Sequence, residues 1–344
     1  MTWYLEEGPE HDVVISTRVR LARNLGDTSF PWRLLPEELE RVRDRVTDAF
    51  CDIVRNTYGQ KSVVVELDAL GDIESRALAE KRIISHDMLK DTRGKSLLLY
   101  PGESSGILVN EEDHLRFYTI GAGLCLAETA DCVIQCAAEM EKRLSFAKSE
   151  RLGYLTVCPT NTGTGMRASA MLHVPGLIRA GIIKPLEAKL TKAGYALRGA
   201  EGEGSEAYGD IIQLSNQVTL GVSEEQILSD LDQLIHEVAH EERKARRILY
   251  ENDMLALEDE IGRAKGNLLF SRLMTTDEAM RLLSLVRLGR ELELPNMPSY
   301  AVLQELFVCV GEGVIQQAVG KPLDPRSRDE ERARLIRKAL QSSV

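Results

Sequence analysis

Several features that would settle the class of this chain at once are missing from it. No cysteine pair has CxxC spacing: the six cysteines are Cys51, Cys125, Cys132, Cys136, Cys158 and Cys309. A structural zinc site built on paired thiolates is therefore not expected. No apolar run approaches the length of a membrane span, and MTWYLEEGPEHD has none of the marks of a signal peptide, so a cytoplasmic protein is expected. An excess of basic charge is missing too. The net charge of -11 offers no basic face to nucleic acid or anionic lipid, although it leaves room for a basic pocket. There is no P-loop: Gly94-Lys95-Ser96 ends like one, but the leading glycine of GxxxxGK[ST] would be residue 89, which is Leu. The HRD and DFG signatures of protein kinases are absent, as are internal repeats and low-complexity segments.

What remains is a chain of 344 residues, 43% hydrophobic and 28% charged, the composition of a soluble globular protein with one large core or two domains. Strands are expected from Val13, at Ser62–Leu67, Ser96–Tyr100, Ile107–Val109, Leu115–Ile120, Tyr154–Val157, Ala168–Val174 and Asp210–Leu214. Pro36–Asn56 reads as a helix, with Pro36 at its first position and Leu39, Val42, Val46, Phe50 and Ile53 in one stripe. Ile73–Ile84, Leu124–Ala147 and Pro185–Ala193 are further helices, and Cys125, Cys132 and Cys136 read as core thiols of the long one. After Ser223, a good N-cap, the texture is helical only, with patterns at Asp253–Leu269, Thr276–Arg287, Ser299–Val319 and Ser327–Ser342. A boundary near 245–250 divides the chain into residues 12–247 and 248–344.

Chemistry concentrates in a few stretches. DVVISTRVRLARNL sets Arg18 and Arg20 on one face of a strand, with Arg23 close by and no acid between them; a bound anion is a natural partner. NEEDHLR crowds Glu111, Glu112 and Asp113 ahead of His114 and Arg116, either a surface turn or a poised base. YLTVCPTNTGTGMRASAMLHVP places Cys158 and Arg167 at the two ends of a Gly-rich connection, which as a bland reading is a loop with a buried thiol. RGAEGEGSEA pairs Arg198 with Glu201, Glu203 and Glu206 across glycines. Arg18, Arg20, Arg23, Arg116, Arg167 and Arg198 together would form the phosphate cage that an enzyme handling ATP without a P-loop needs. Glu112 and Glu203 suit a cationic acceptor, because a guanidinium pairs with carboxylates and one of them can take its proton. A separate motif, His236-Glu237-Val238-Ala239-His240, matches HExxH, with Glu258 where some zinc hydrolases place a third ligand. Its flank EERKARR, however, reads as a solvated helix face.

STRVRLAR, NEEDHLR, CPTNTGTGMRAS and RGAEGEGSEA, in this order, resemble the ATP:guanido phosphotransferase (phosphagen kinase) family over roughly residues 12–245. The resemblance implies an α+β catalytic domain, an antiparallel sheet flanked by helices, here followed by an all-α C-terminal domain. It implies ATP with Mg2+, and no metal ligand from the protein. Ser16, Thr17, Arg18, Val19 and Arg20 would contact the nucleotide, together with Arg116. So would Arg167, Ala168, Ser169, Ala170 and Met171, and the run Arg198, Gly199, Ala200, Glu201, Gly202 and Glu203. Arg82 stands where relatives often have a nucleotide-contacting His, Met171 replaces another His, and Thr219 replaces an Arg. Glu112 would be the main catalytic carboxylate, Glu203 the second, and Cys158 the cysteine lying against the guanidinium. Only eleven residues precede the first strand, where the family has a helical N-terminal domain, so an open acceptor site is expected.

The helical C-terminal end is similar to that of the family's bacterial protein-arginine kinases. Arg328, Asp329, Glu330, Glu331, Arg332 and Ala333 match RDxxRA, which in them binds phosphoarginine allosterically; as residues alone they read as a charged surface helix. The implied function is phosphorylation of protein arginines in a stress response, marking proteins for regulated proteolysis. The implied partners are a McsA-like activator, a CtsR-like repressor, the ClpC–ClpP protease and a second copy in a homodimer. Kinases of free arginine, a non-catalytic phosphoarginine adaptor and a zinc hydrolase are the alternatives.

Overall fold

The computed structural model of the chain describes residues 3–102, 104–199 and 208–341. Alternation in VISTRVRLAR makes the first strand, β1 (Val14–Arg23), and α1 (Pro36–Tyr58) follows, ended by Gly59 in the left-handed region. Then come β2 (Val63–Glu66), α2 (Asp72–Glu80), β3 (Ser96–Leu99), β4 (Ser105–Val109), β5 (Leu115–Ala122) and α3 (Leu126–Glu141). A two-residue ladder, β6 (Lys148–Ser149) with β7 (Gly153–Tyr154), precedes β8 (Met166–His173). Two helices, α4 (Pro175–Arg179) and α5 (Ile183–Lys192), lead to β9 (Tyr195–Gly199) and β10 (Ile211–Asn216). The rest is helical: α6 (Glu224–Asn252), α7 (Met254–Phe270), α8 (Thr276–Glu291), α9 (Tyr300–Cys309), α10 (Glu312–Val319) and α11 (Pro325–Gln341). Among the described residues no single helix is long and apolar enough to cross a membrane.

One antiparallel sheet in the order β2-β3-β4-β5-β1-β8-β10-β9 carries the fold. Its two faces differ. Val19, Leu21, Phe117, Ala168, Ala170 and Leu214 point into the main core, closed by the apolar stripes of α1, α3 and α6. On the other face, Leu97, Leu99, Leu108 and Ile120 form one apolar cluster at the β3–β5 side. Ile15, Met171 and Ile211 form another, packed against α7, α8, α9 and α11. Between these two apolar flanks lies the polar strip described below.

Some expected elements end differently. The apolar pattern at Leu124–Ala147 gives a helix only to Glu141, because Ser145 and Ala147 are drawn into backbone bonds with Gly26 and Asn24 (2.9 and 2.7 Å). Of the three cysteines read as core thiols, only Cys136 is buried; Cys132 faces solvent and Cys125, just ahead of α3, is half-buried. Tyr154–Val157 is not a continuous strand: Tyr154 exchanges two backbone bonds with Gly163, and residues 155–157 run as a loop. The helix at Asp253–Leu269 forms as α7 and runs through Gly266-Asn267 to Phe270, whereas Ser299–Val319 is two helices bent by 90° around Val310–Gly311. The second of them, α10, is capped from outside: Glu80 at the end of α2 accepts Gly313 N–H and Val314 N–H at 2.8 and 2.9 Å.

A buried ionic network joins sheet and helices. Arg246 of α6 reaches Glu291 of α8 and Asp12 ahead of β1, both at 2.8 Å. Glu291 also meets His173 of β8 at 2.7 Å and Arg287 at 3.1 Å. Burial alone would raise the Glu291 pKa; His173, Arg246 and Arg287 together hold it below the usual carboxylate value. Glu291→Ala leaves two buried guanidinium groups without their shared counter-charge. A loss of about 3–5 kcal/mol is expected, read as a lowered urea midpoint; a midpoint within experimental scatter of the wild type contradicts this role.

Candidate active site

Arg18 and Arg20 lie two residues apart on β1 and so share a face. Directly opposite Arg20 stand Arg167 on β8 and Tyr118 on β5, and Arg116 stands opposite Ala22. Met171 faces Gln213, which faces Arg198 on β9. Antiparallel register thus gathers Arg18, Arg20, Arg116, Arg167 and Arg198 onto one face of the sheet. Burial, and then repulsion from Arg18, Arg116 and Arg167, hold the Arg20 guanidinium well below its ordinary pKa. Arg167 is lowered by burial and by Arg198 and Arg116. Arg18 is also lowered, chiefly by burial. The Nε atoms of Arg18 and Arg20 are buried without a hydrogen-bond partner among the described residues. Crowded cations with unsatisfied donors are a site for a polyanion.

The same register divides the expected nucleotide contacts. Arg18, Arg20, Arg167, Ser169 and Met171 point to the arginine face, with Ser16 at the bulged end of β1. Thr17, Val19, Ala168 and Ala170 point the other way: the last three are in the main core, and Thr17 donates to the Gly123 carbonyl at 2.6 Å. Arg23 does not join the cage. Odd in the alternation, it is buried on the opposite side, over the Tyr154 ring at 3.4 Å, and donates to the carbonyls of Ala22 and Thr164. Gly199 ends β9, whereas Ala200, Glu201, Gly202 and Glu203 lie outside the described residues.

NEEDH supplies three carboxylates with three roles. The Glu111 side chain is 5% exposed, pairs with Arg116 at 2.6 Å and accepts the Ser85 hydroxyl. Glu112 also meets Arg116, at 2.7 Å, but stands 40% exposed at the open edge. Asp113 is fully buried and accepts Asn24 Nδ2 at 2.6 Å and Val157 N–H at 2.7 Å. Asn24 in turn accepts His114 N–H at 2.9 Å. The acidic turn is thereby lashed to the stretch that carries Cys158, and Glu112 and Cys158 both act electrostatically on Arg167. Sequence reasoning missed Asp113 and Asn24 as positioning residues; the signal available was an acid beside a His within a turn.

The Gly-rich connection is held from outside. Thr219, buried, donates to the carbonyls of Thr160 (2.9 Å) and Thr162 (2.8 Å), and its own carbonyl accepts Thr164 N–H at 3.0 Å. Gly163 has φ +118, and a Cβ there would fall 2.2 Å from the Thr219 carbonyl oxygen, so only glycine fits. Thr219 therefore supports the loop. At the far end, Arg167 is aimed by the Asn216 carbonyl (3.0 Å) and Asn161 Oδ1 (3.1 Å).

Arg82, at φ +59, reaches Met171 Sδ at 2.8 Å. The two line a small cavity with Ile15 and Ile211, closed from the helical side by Met280, Gln304 and Phe307. The C-terminal motif on α11 splits. Arg332 and Ala333 are buried, with Arg332 donating to the carbonyls of Val310 (2.7 Å) and Met274 (2.8 Å) and to Asp329 (2.7 Å). Arg328 faces Glu312 at 3.5 Å, Glu330 is exposed and Glu331 pairs with Arg334. His236 and His240 are exposed on α6, while Glu258 accepts the Tyr250 hydroxyl. Among the described residues no group of three or more metal-ligating side chains converges.

Comparison with known proteins agrees with this geometry. The family model of the ATP:guanido phosphotransferase C-terminal catalytic domain matches residues 41–245. The chain belongs to the ATP:guanido phosphotransferase family. A second model, the protein-arginine kinase McsB C-terminal domain, matches residues 254–344 of this guanido phosphotransferase. Its relatives include the protein-arginine kinases of Brevibacillus brevis (42% identical; 98% of this chain, 94% of that protein) and Geobacillus stearothermophilus (40%; 98% and 93%). Among solved structures, the duplicated taurocyamine kinase of Schistosoma mansoni with bound transition-state analogue components matches with a TM-score of 0.59 and 25% identity. That match covers 67% of this chain and 33% of the duplicated one. Lombricine kinase, 21% identical over 69% of this chain and 68% of that one, has the same fold at a TM-score of 0.59.

Burial lowers the pKa of His114 to about 4, and its Nδ1 accepts Leu25 N–H at 3.1 Å. In the unfolded chain it titrates near its ordinary value, roughly 6.5. The unfolded state therefore binds the extra proton first, and stability falls as the pH drops from that value toward the folded pKa, by up to about 3 kcal/mol. In His114→Gln, which keeps an acceptor for Leu25, the loss between neutral and acid pH should shrink by that amount in urea titrations at both pH values. An unchanged loss excludes His114 as its source.

Proposed function

We propose that this guanido phosphotransferase transfers the γ-phosphoryl group of ATP to arginine side chains of proteins. One observation carries the reading: an arginine face with unsatisfied donors meets, at its open edge, a carboxylate positioned for a cation. Relatives named protein-arginine kinase, aligned over nearly the whole chain, support it. Arg18, Arg20, Arg116, Arg167 and Arg198 hold the phosphates and stabilise the charge of the transferring group. The base end of ATP lies in this reading toward Arg82 and Met171, which line a small cavity with Phe307. Mg2+ neutralises phosphate oxygens when bound. The acceptor guanidinium takes the place of Arg116 as the partner of Glu112, with Glu203 as the second carboxylate and Cys158 against its nitrogen. That nitrogen forms the N–P bond, the bond from the γ-phosphorus to the bridging oxygen breaks with ADP leaving, and the nitrogen's proton passes to Glu112.

Residues 12–247 serve as the catalytic domain and 248–344 as a helical domain for dimerisation, with Arg328 and Asp329 as the outward, phosphoarginine-binding half of the α11 motif. In this reading it is a cytoplasmic enzyme of the stress response that works with a McsA-like activator, a CtsR-like repressor and a ClpC–ClpP protease; the likeness of the C-terminal end to the McsB C-terminal domain supports the reading.

Mass spectrometry of an unfolded protein after reaction with ATP, under conditions that spare acid-labile P–N bonds, should find phosphate on arginine. Phosphate confined to Ser, Thr or Tyr overturns the proposal, and turnover of free arginine alone replaces it with a small-guanidine kinase. Glu112→Gln should lose on the order of a hundred-fold or more in turnover while ATP affinity stays close to wild type. Cys158→Ala should raise mainly the KM for the acceptor, and Arg167→Ala mainly that for ATP. Indistinguishable defects in the last two would refute the division of labour across the loop.

A further inference from the structure

On the side of the sheet away from the arginine cluster, α5 and α6 enclose a groove of about 410 Å³. Its floor is apolar: Leu177, Leu190 and Val238 are buried, Leu186 and Leu234 half-buried, and Ile182 is 42% exposed. The α6 rim is polar along a single stripe, Asp230, Gln233, Glu237 and Glu241, all exposed. Glu237 is the glutamate of the HExxH match, so that motif's carboxylate faces this groove. The α5 side of the lining adds one exposed cation, Lys189, so the three rim acids outnumber the basic side chains there. Among the described residues, Asp230 and Glu237 accept only from the amides of Gln226 (2.6 Å) and Gln233 (3.0 Å). Glu241 reaches a cation, Lys244, only at 3.8 Å on an exposed face. From Asp230 to Glu241 the stripe rises roughly 16 Å, about three helical turns.

An apolar trough between two helices, of that length and with carboxylates along one lip, matches the helix-in-groove mode of recognition. The rim selects the occupant. An acidic or neutral helix would leave the carboxylates unpaired, and a second copy of this chain brings a net charge of -11. We propose that the α5–α6 groove docks a cationic amphipathic helix of a partner protein. Its apolar stripe, at i, i+4 and i+7, would cover Leu186, Leu190, Leu234 and Val238. Its Lys or Arg flank would lie against Asp230, Glu237 and Glu241. This docking is separate from phosphoryl transfer.

The test is fluorescence anisotropy of a labelled three-turn peptide with Leu at i, i+4 and i+7 and Lys on the flanks, titrated with the full chain without ATP. Lys keeps the probe from serving as an arginine acceptor. Saturable one-to-one binding is expected, weakened at least about tenfold by the surface double variant Glu237→Lys/Glu241→Lys and by raised salt. A scrambled peptide of the same composition should bind at least about tenfold more weakly, because it presents no stripe. The double variant should phosphorylate an unfolded protein at the wild-type rate, which shows that its fold is intact. Equal binding of both peptides, equal binding by wild type and variant, or no binding at millimolar peptide overturns the proposal. So does a self-association, seen in sedimentation, that the charge reversal abolishes while peptide binding is absent.

Discussion

Like charges crowded onto one sheet face constrain everything else in this protein. Arg18, Arg20, Arg116, Arg167 and Arg198 repel one another, and burial together with that repulsion lowers the pKa values of Arg18, Arg20 and Arg167. Side-chain flexibility would relieve that repulsion by letting them swing into water. The fold prevents it by placing them on the four strands β5, β1, β8 and β9 and by walling the strip with apolar clusters on both flanks. Neighbouring groups fix the aim: Arg116 by the Glu111 carboxylate, Arg167 by the Asn161 side chain and the Asn216 backbone carbonyl. A site arranged in this way is ready for a triphosphate before it arrives, so little reorganisation remains for the reaction itself.

The second constraint is that buried charge must be compensated where the two halves meet. Arg246, Glu291, Arg287, His173 and Asp12 come from α6, α8, β8 and the segment before β1, and all but the part-exposed Asp12 are shut off from water. Such a network adds little net stability compared with apolar packing, but it penalises every misdocked arrangement of helices on sheet. The same logic holds for Arg332, whose donors meet two backbone carbonyls at the end of α9 and ahead of α8.

Much of this was legible from residues alone. Antiparallel hairpins, the helix starts at Ser223 and Pro36, and the shared face of Arg18 and Arg20 follow from local periodicity and capping chemistry. The Gly-rich connection and NEEDH stood out because they set charge beside glycine and turn residues. What stayed hidden depends on contacts distant in sequence. Arg23 looked like a third cage arginine because its neighbours were; only strand parity and the Tyr154 ring remove it. Thr219 looked like a lost contact, and is instead the strut of a loop some 60 residues earlier. The end of α3 was overridden by backbone pairing with Asn24 and Gly26, which no helical pattern can report. The bend at Val310–Gly311 sits in an apolar run that reads as one helix; the carboxylate that caps its second half is on α2.

That last contact bears on how the chain can be taken apart. Glu80 closes a helix that begins more than two hundred residues later, and Gly311 and Gly313 admit no side chain because Glu80 and the α2 backbone already occupy the space. A kinase half cut out at the end of α6 would lose the floor beneath Ile15, Met171 and Ile211 and would present Glu80 with nothing to hold. The sheet is therefore not a portable cassette with a helical tail. Recombining it with a foreign C-terminal module would require redesign of α2 and of the three sheet positions that face the helices.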